Sequence, residues 1–151
     1  MLELARASDW EAVHRLARQI HNLHVAWRPD LFCMTEEPFP QDMFQQAIAD
    51  RLLYVAKIDG RVVGFVELDI YPVSGPRSVN RKVLSLESIC VDEAFRGQGI
   101  GRAMIQDVRA LAKAFRCREM VLGVYPENDG AVAFYQKCGF RIGSVKMQVK
   151  V

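Results

Sequence analysis

The stretch Val91-Asp92-Glu93-Ala94-Phe95-Arg96-Gly97-Gln98-Gly99-Ile100-Gly101-Arg102 sets three glycines and two arginines between an apolar run and an amphipathic one. Glycine lets a backbone approach a ligand closely and take φ values closed to other residues. Amides at a helix start point outward, and the helix dipole adds about half a positive charge there. Arg96 and Arg102 add two full charges. Together they suit a pyrophosphate. A dinucleotide fingerprint fails, because the sixth position from Gly97 is Arg102. A Walker A loop is absent as well. On the glycines alone, a helix start with incidental glycines stays an open alternative.

Further candidates flank this turn. Glu87 lies in the apolar run Val83-Leu84-Ser85-Leu86-Glu87-Ser88-Ile89, where a carboxylate is costly to bury without a partner. Even spacing puts it on the strand face of Ile89 and Val91, unless a bulge intervenes. It is the first candidate for a general base, and a solvated Glu or salt-bridge partner is the alternative. Glu67, Asp69 and Tyr71 share one face of the preceding run and are candidates to bind an ammonium group or to serve as that base, with a plain solvated face as the alternative. His14, His21 and His24 fall in one helix, with no carboxylate or cysteine pattern to complete a metal site, so no metal is expected. Cys33, Cys90, Cys117 and Cys138 are 57, 27 and 21 residues apart. No CxxC pair exists, and reduced, buried thiols are expected. Cys90 without an adjacent His or Lys is a poor nucleophile.

These residues need a scaffold, and the pattern supplies one. Leu2–Arg6 alternates as a short strand. Ser8 and Glu11 read as a capping box for a helix to about Val25, with Val13, Leu16, Ala17 and Ile20 inward. Arg28-Pro29 ends it. A short helix from Gln41 to about Asp50 follows. Leu52–Ile58 and Arg61–Tyr71 form a hairpin around Asp59-Gly60, a type I′ signal. Lys82–Val91 is a strand and Gly99–Phe115 a helix. Arg118–Tyr125 is a strand and Asp129–Cys138 a helix stopped by Gly139. Arg141–Val151 is a last strand.

In that context the motif gains a relative. Arg96-Gly97-Gln98-Gly99-Ile100-Gly101 matches the R/Q-x-x-G-x-G/A motif of the GNAT acyltransferases at every defined position. Asn128, 27 residues past Gly101, opens a second segment with Ala131, Tyr135, Lys137, Gly139 and Phe140. It resembles the family's N-x-x-A-x-x-x-Y-x-K-x-G-F. The resemblance is detailed over Lys82–Arg141.

The resemblance implies an α/β (α+β) GNAT-like fold. Its central sheet would be mixed, mostly antiparallel, of about six to seven strands splayed at the CoA site and flanked by about four helices. It implies acetyl-CoA as co-substrate. The pyrophosphate would sit on Gly97, Gln98, Gly99, Ile100, Gly101 and Arg102, beside Arg96. The pantetheine would pair with the backbone of Ile89 and Val91, and amides near Ile89 and Cys90 would polarise the thioester carbonyl. Asn128 would also contact the cofactor, and Tyr135 would protonate the departing thiolate. His24, Trp27, Arg28, Asp30 and Phe32 are acceptor-side candidates. The implied activity is direct acetyl transfer to a primary amine: a small molecule, a peptide N-terminus or a lysine. An acyl-CoA-binding regulatory module with little catalysis, or an enzyme using a longer acyl group, are the alternatives.

Bulk properties agree. At 151 residues the chain is expected to be one domain, 1–151. Hydrophobic residues make up 50% and charged ones 25%, which excludes a disordered tail or fibre. A net charge of +2 does not argue for nucleic acid. Apolar runs are too short for a bilayer span, and no apolar signal region appears in Met1–Ala7. A cytoplasmic protein is expected. A homodimer is conceivable through the final strand or the Phe39/Phe44 region.

Overall fold

A computed structural model describes all residues, Met1–Val151. Five strands form one sheet in the order β1-β2-β3-β4-β5. They are β1 (Leu2–Leu4), β2 (Leu53–Ile58), β3 (Arg61–Val73), β4 (Arg81–Val91) and β5 (Glu119–Leu122). The first four pair antiparallel, and β5 runs parallel to β4. Four helices cover the two faces: α1 (Trp10–Trp27), α2 (Gln41–Ala49), α3 (Ile100–Ala114) and α4 (Asp129–Lys137). The mixed, mostly antiparallel sheet with four helices agrees with expectation.

Local chemistry sets the elements. Asp59 and Gly60 take φ +50° and +78°, as a type I′ hairpin requires. Each sheet face is buried by its own layer. Val13, Leu16 and Ala17 of α1 and Phe44 of α2 pack on Leu53, Val55 and Phe65. Ile100, Met104, Ile105 and Val108 of α3 pack on Val63, Val66, Leu84 and Leu86 on the other side. Gly64 permits the second packing, because a Cβ there would lie 2.9 Å from Met104 Sδ. No helix is long and apolar enough to cross a membrane.

Three expectations are corrected. The sheet has five strands instead of six to seven, and Arg141–Val151 forms none of them. An alternating segment becomes a strand only when a free edge pairs with it, and this one stays unpaired and exposed. The second correction concerns the start of α1, where the Ser8/Glu11 capping box is absent. Asp9 instead closes a 3-10 turn by accepting the Arg6 amide at 2.9 Å. It is buried at 6% exposure because Lys57 Nζ, 3.1 Å away, supplies its counter-charge. Finally, only Cys90 is a buried thiol, and Cys33 is exposed.

Candidate functional site

The sheet opens at the middle of β4. Val83–Leu86 pairs with Glu119–Leu122 of β5, and there β5 stops. From Glu87 to Val91, β4 is held by β3 alone. The Asp92 amide donates to Val63 O on β3 at 2.8 Å. Strand alternation therefore turns the amides and carbonyls of Ile89 and Val91 the other way, into the gap. A ladder edge of this kind accepts an extended chain as an added strand.

A bulge shapes the same strand. Glu67 pairs with Ser88, but Leu68 pairs with Leu86, so Glu87 is the extra residue. Leu84 and Leu86 before it, and Ile89 and Val91 after it, all pack in the α3-side core. Alternation breaks at Glu87, whose exposed side chain does not share the face of Ile89 and Val91 as even spacing predicts. The bulge brings a carboxylate pair together instead. Glu67 is half-buried and accepts a hydrogen bond from Ser88. Burial, then the negative charge of Glu87, raises its pKa above the usual range, against that hydrogen bond.

Beyond β4, the turn to α3 presents bare amides. The first intrahelical bond is Ala103 N to Gly99 O at 3.1 Å, and the amides of Gly97 to Arg102 have no acceptor within the protein. Gly97 and Gly99 make this possible with φ +76° and +83°. Nothing lies within 4 Å of a Cβ built on either, so backbone conformation, not clearance, demands glycine. Gly101 answers clearance: its Cβ would stand 3.3 Å from Phe134 of α4. Arg96 Nε donates to Val91 O at 3.0 Å, which carries its cation to the mouth of the gap. Arg102, Arg109 and Lys137 line a cleft between α3 and α4.

Asp92 anchors the turn, and nothing in the sequence singled it out. It is 2% exposed and accepts from Arg15 Nη1 at 2.8 Å, the Ala94 amide at 3.2 Å and Gln19 Nε2 at 3.4 Å. Burial pushes its pKa up, yet the hydrogen bonds of Arg15, Ala94 and Gln19 hold it below the ordinary value. The turn is thus tied to α1 across the sheet.

Tyr135 projects from α4, whose N-terminus is capped by Asn128: Oδ1 accepts the Ala131 amide at 3.2 Å. Asn128 therefore has a structural role besides the cofactor contact expected of it. Tyr135 packs between Phe134 and Phe140, with ring centroids at 5.3 and 5.7 Å. Burial, with a smaller contribution from Cys138, pushes its hydroxyl up to about 12, so it stays protonated. Cys90 is also buried, its thiol raised to about 11 chiefly by burial, and it donates to Leu16 O at 3.5 Å. A protonated, tethered thiol is not a nucleophile.

The acceptor-side candidates gather at the end of α1 around two residues the sequence did not flag, Tyr125 and Glu127. Arg28 donates to both oxygens of Asp30 at 2.9 and 2.8 Å, pairs with Glu127 at 3.6 Å and lies 5.5 Å over the Tyr125 ring. Phe32 meets Tyr125 at 5.6 Å and His24 at 5.3 Å. Trp27 joins through His24 at 6.0 Å. The segment Tyr125-Pro126-Glu127 stands directly before the capping Asn128, a position that could have drawn attention to it. The other histidines hold the loop after α1. His14 Nε2 bonds Glu36 O at 3.0 Å, and His21 Nε2 bonds Cys33 O at 2.8 Å.

A mixed sheet parted beside a glycine-rich helix start defines a class of fold. Residues 17–140 match the acetyltransferase (GNAT) family, and the chain belongs to it. An uncharacterized N-acetyltransferase of Methanocaldococcus jannaschii is 39% identical over 87 residues, 58% of this chain but 38% of that protein. The chain thus spans well under two thirds of that relative. A glucosamine 6-phosphate N-acetyltransferase of Trypanosoma brucei brucei is 29% identical over 110 residues, 72% of this chain and 70% of its own. Among solved structures, a mutant of the BH1408 protein from Bacillus halodurans superposes with a TM-score of 0.96 at 29% identity, covering 100% of this chain and 99% of that one. The fold alone is shared with an aminoglycoside N-acetyltransferase in complex with CoA: TM-score 0.73, 19% identity, 100% and 98% covered.

Proposed function

We propose that the protein is an acetyl-CoA-dependent N-acetyltransferase acting on a primary amine, by direct attack in a ternary complex. The observation that carries this reading is the unpaired edge of β4 at Ile89 and the Val91 amide, with Val91 O held by Arg96, which leads straight to the bare amides of Gly97 to Arg102. One surface takes an extended amide-bearing arm, the other a pyrophosphate, and they are joined in the order that acetyl-CoA joins them. Arg96 and Arg102 neutralise the pyrophosphate. The Arg102, Arg109 and Lys137 cleft takes the remaining phosphate of the cofactor.

Glu67 takes the proton that frees the amine lone pair, and its raised pKa brings it nearer the working pH. Glu87 enters as the neighbouring charge that strengthens Glu67 as a base, which refines its expected role. The backbone amide of Ile89 or Val91, which faces the gap, polarises the thioester carbonyl, whereas the Cys90 amide faces β3. As the C–N bond forms and the C–S bond breaks, Tyr135 gives its proton to the sulfur and regains one from the nitrogen. Cys90 takes no part. The acceptor is a small molecule, a peptide N-terminus or a lysine, met by the walls around Tyr125, Phe32 and His24.

A CoA-release assay over a panel of amines, polyamines, amino acids and peptides tests this. At least one amine supports turnover, and Tyr135→Phe cuts kcat by about 10²-fold or more with acetyl-CoA affinity intact. Acetyl-CoA binding without turnover on any amine would favour the regulatory module. Unchanged turnover in Tyr135→Phe would remove the assigned proton donor.

A further inference from the structure

α1 grips both sides of the parted sheet. Near its start, Arg15 Nη1 reaches Asp92, just past the end of β4, at 2.8 Å. At its C-terminal end, Arg28 Nη1 reaches Glu127, between β5 and α4, at 3.6 Å. At ~1.5 Å of rise per residue, the two arginines stand about 20 Å apart along the helix. One rigid element thus spans the gap.

The far side of the gap has little else to locate it. From Gly123 to Glu127 the backbone makes one hydrogen bond, in which Tyr125 O accepts the Asn128 amide at 3.0 Å, and that bond stays inside the turn. Side chains of α1 and its following loop hold the segment instead. The Arg28 guanidinium lies 5.5 Å over the Tyr125 ring, which Phe32 and His24 meet at 5.6 and 6.3 Å. The segment ends at Asn128, the cap of α4, and Tyr135 follows two turns further on. At its other end α4 is tied to α3, where Arg109 Nη2 donates to Cys138 O at 2.7 Å.

A guanidinium suits this position. Nε and Nη2 donate to the two oxygens of Asp30, Nη2 also donates to Gln148 Oε1 at 3.2 Å, and Nη1 faces Glu127. All three nitrogens are engaged within the chain, and the side chain is 17% exposed, which leaves little of it for a ligand.

We propose that Arg28 is a positioning residue: by gripping Tyr125 and Glu127 it fixes where α4 begins, and so how far the Tyr135 hydroxyl stands from the edge of β4. The proposal rests on the acetyl-transfer reading, in which Tyr135 protonates the departing sulfur. Proton transfer needs the two heavy atoms within hydrogen-bond reach, so a shift of about 1 Å in α4 is felt as lost rate. The amides of Gly97 to Arg102 are anchored separately, through Asp92, and keep their hold on the cofactor. Arg28 therefore acts through Tyr135 and not by touching the acceptor.

A double-mutant cycle on kcat tests this, with hydrogen exchange beside it. Arg28→Lys keeps the charge and loses the planar fork. It should lower kcat about tenfold, with acetyl-CoA affinity and acceptor KM within about twofold of native. In the Tyr135→Phe background the same change should cost less than about twofold, because the hydroxyl it places is gone. Amides of 128–135 should exchange faster in Arg28→Lys, and those of α3 at the native rate. Glu127→Gln weakens only the contact at 3.6 Å. It should act in the same direction by a smaller factor, and it replaces Arg28→Lys if that variant fails to fold. An unchanged kcat, equal losses in both backgrounds, or native exchange at 128–135 would each overturn the positioning role. Failure of the acetyl-transfer reading looks different: the native chain turns over no amine, or Tyr135→Phe costs nothing. Exchange at 128–135 then decides alone whether Arg28 places α4, and a native rate there overturns it.

Discussion

The turn before α3 and the cluster at the end of α1 are both candidate ligand surfaces, and they are built in opposite ways. The turn works through backbone: six amides in consecutive residues, bare because Gly97 and Gly99 take positive φ. The cluster works through side chains drawn from distant places, with His24 and Arg28 meeting Tyr125 and Glu127. A backbone surface needs its residues adjacent in the chain, so it tolerates little change and writes itself into a short motif. A side-chain surface needs only the fold to bring its members together, so it is free to vary with the acceptor while the fold stays fixed.

The sharpest way to break this contrast is to strain the turn. Gly99→Val forces a β-branched residue to φ +83°, a strain of order 1–3 kcal/mol. It should weaken acetyl-CoA binding by about tenfold to hundredfold in a calorimetric titration. Gly60→Val, with similar strain at φ +78° on the β2–β3 hairpin, should leave that affinity unchanged. Equal losses in both variants would reduce the turn to general stability.

The anchor of the turn comes next. Asp92→Asn should cost about 1–3 kcal/mol in urea unfolding, because the hydrogen bonds from Arg15 and Gln19 lose a charged acceptor. The sign with pH follows from a folded pKa held below the ordinary carboxylate value. Asp92's contribution is present above that ordinary value, and it is lost as pH falls through the lower folded one. Native and variant stabilities should converge on acidification below about pH 4.

On the acceptor side, Glu67→Gln should abolish the acidic limb of the kcat profile together with most of the turnover. Glu87→Gln removes the like charge that raises Glu67, so it should shift that limb to lower pH with activity kept. A limb that moves upward would refute the coupling. The smallest effect is expected at the cluster. Tyr125→Ala should raise the acceptor KM several-fold, about 1 kcal/mol of lost contact, and leave acetyl-CoA affinity alone.

The same contrast explains what was legible. Asp59-Gly60, the turn glycines and the helix of Ile100, Met104 and Val108 are local patterns, each read from neighbours in the chain. Tyr135 was legible only through its resemblance, because one tyrosine beside a phenylalanine is ordinary core. The bulge at Glu87 was not legible, since strand pairing decides which residue is extra. Asp92 was missed because its value lies in Arg15, 77 residues away. Arg141–Val151 reads as a strand in the sequence, but a strand forms only where another segment pairs with it, and the sheet leaves this one unpaired.

In the proposed function the parted edge of β4 and the bare turn form one acetyl-CoA site. Thermal or urea unfolding in acetyl-CoA tests it most directly. With free ligand at 100 times its dissociation constant, the native chain should gain about 2.7 kcal/mol. Gly99→Val at that same concentration should gain measurably less. No stabilisation of the native chain at millimolar acetyl-CoA would mean that these two surfaces are not an acetyl-CoA site.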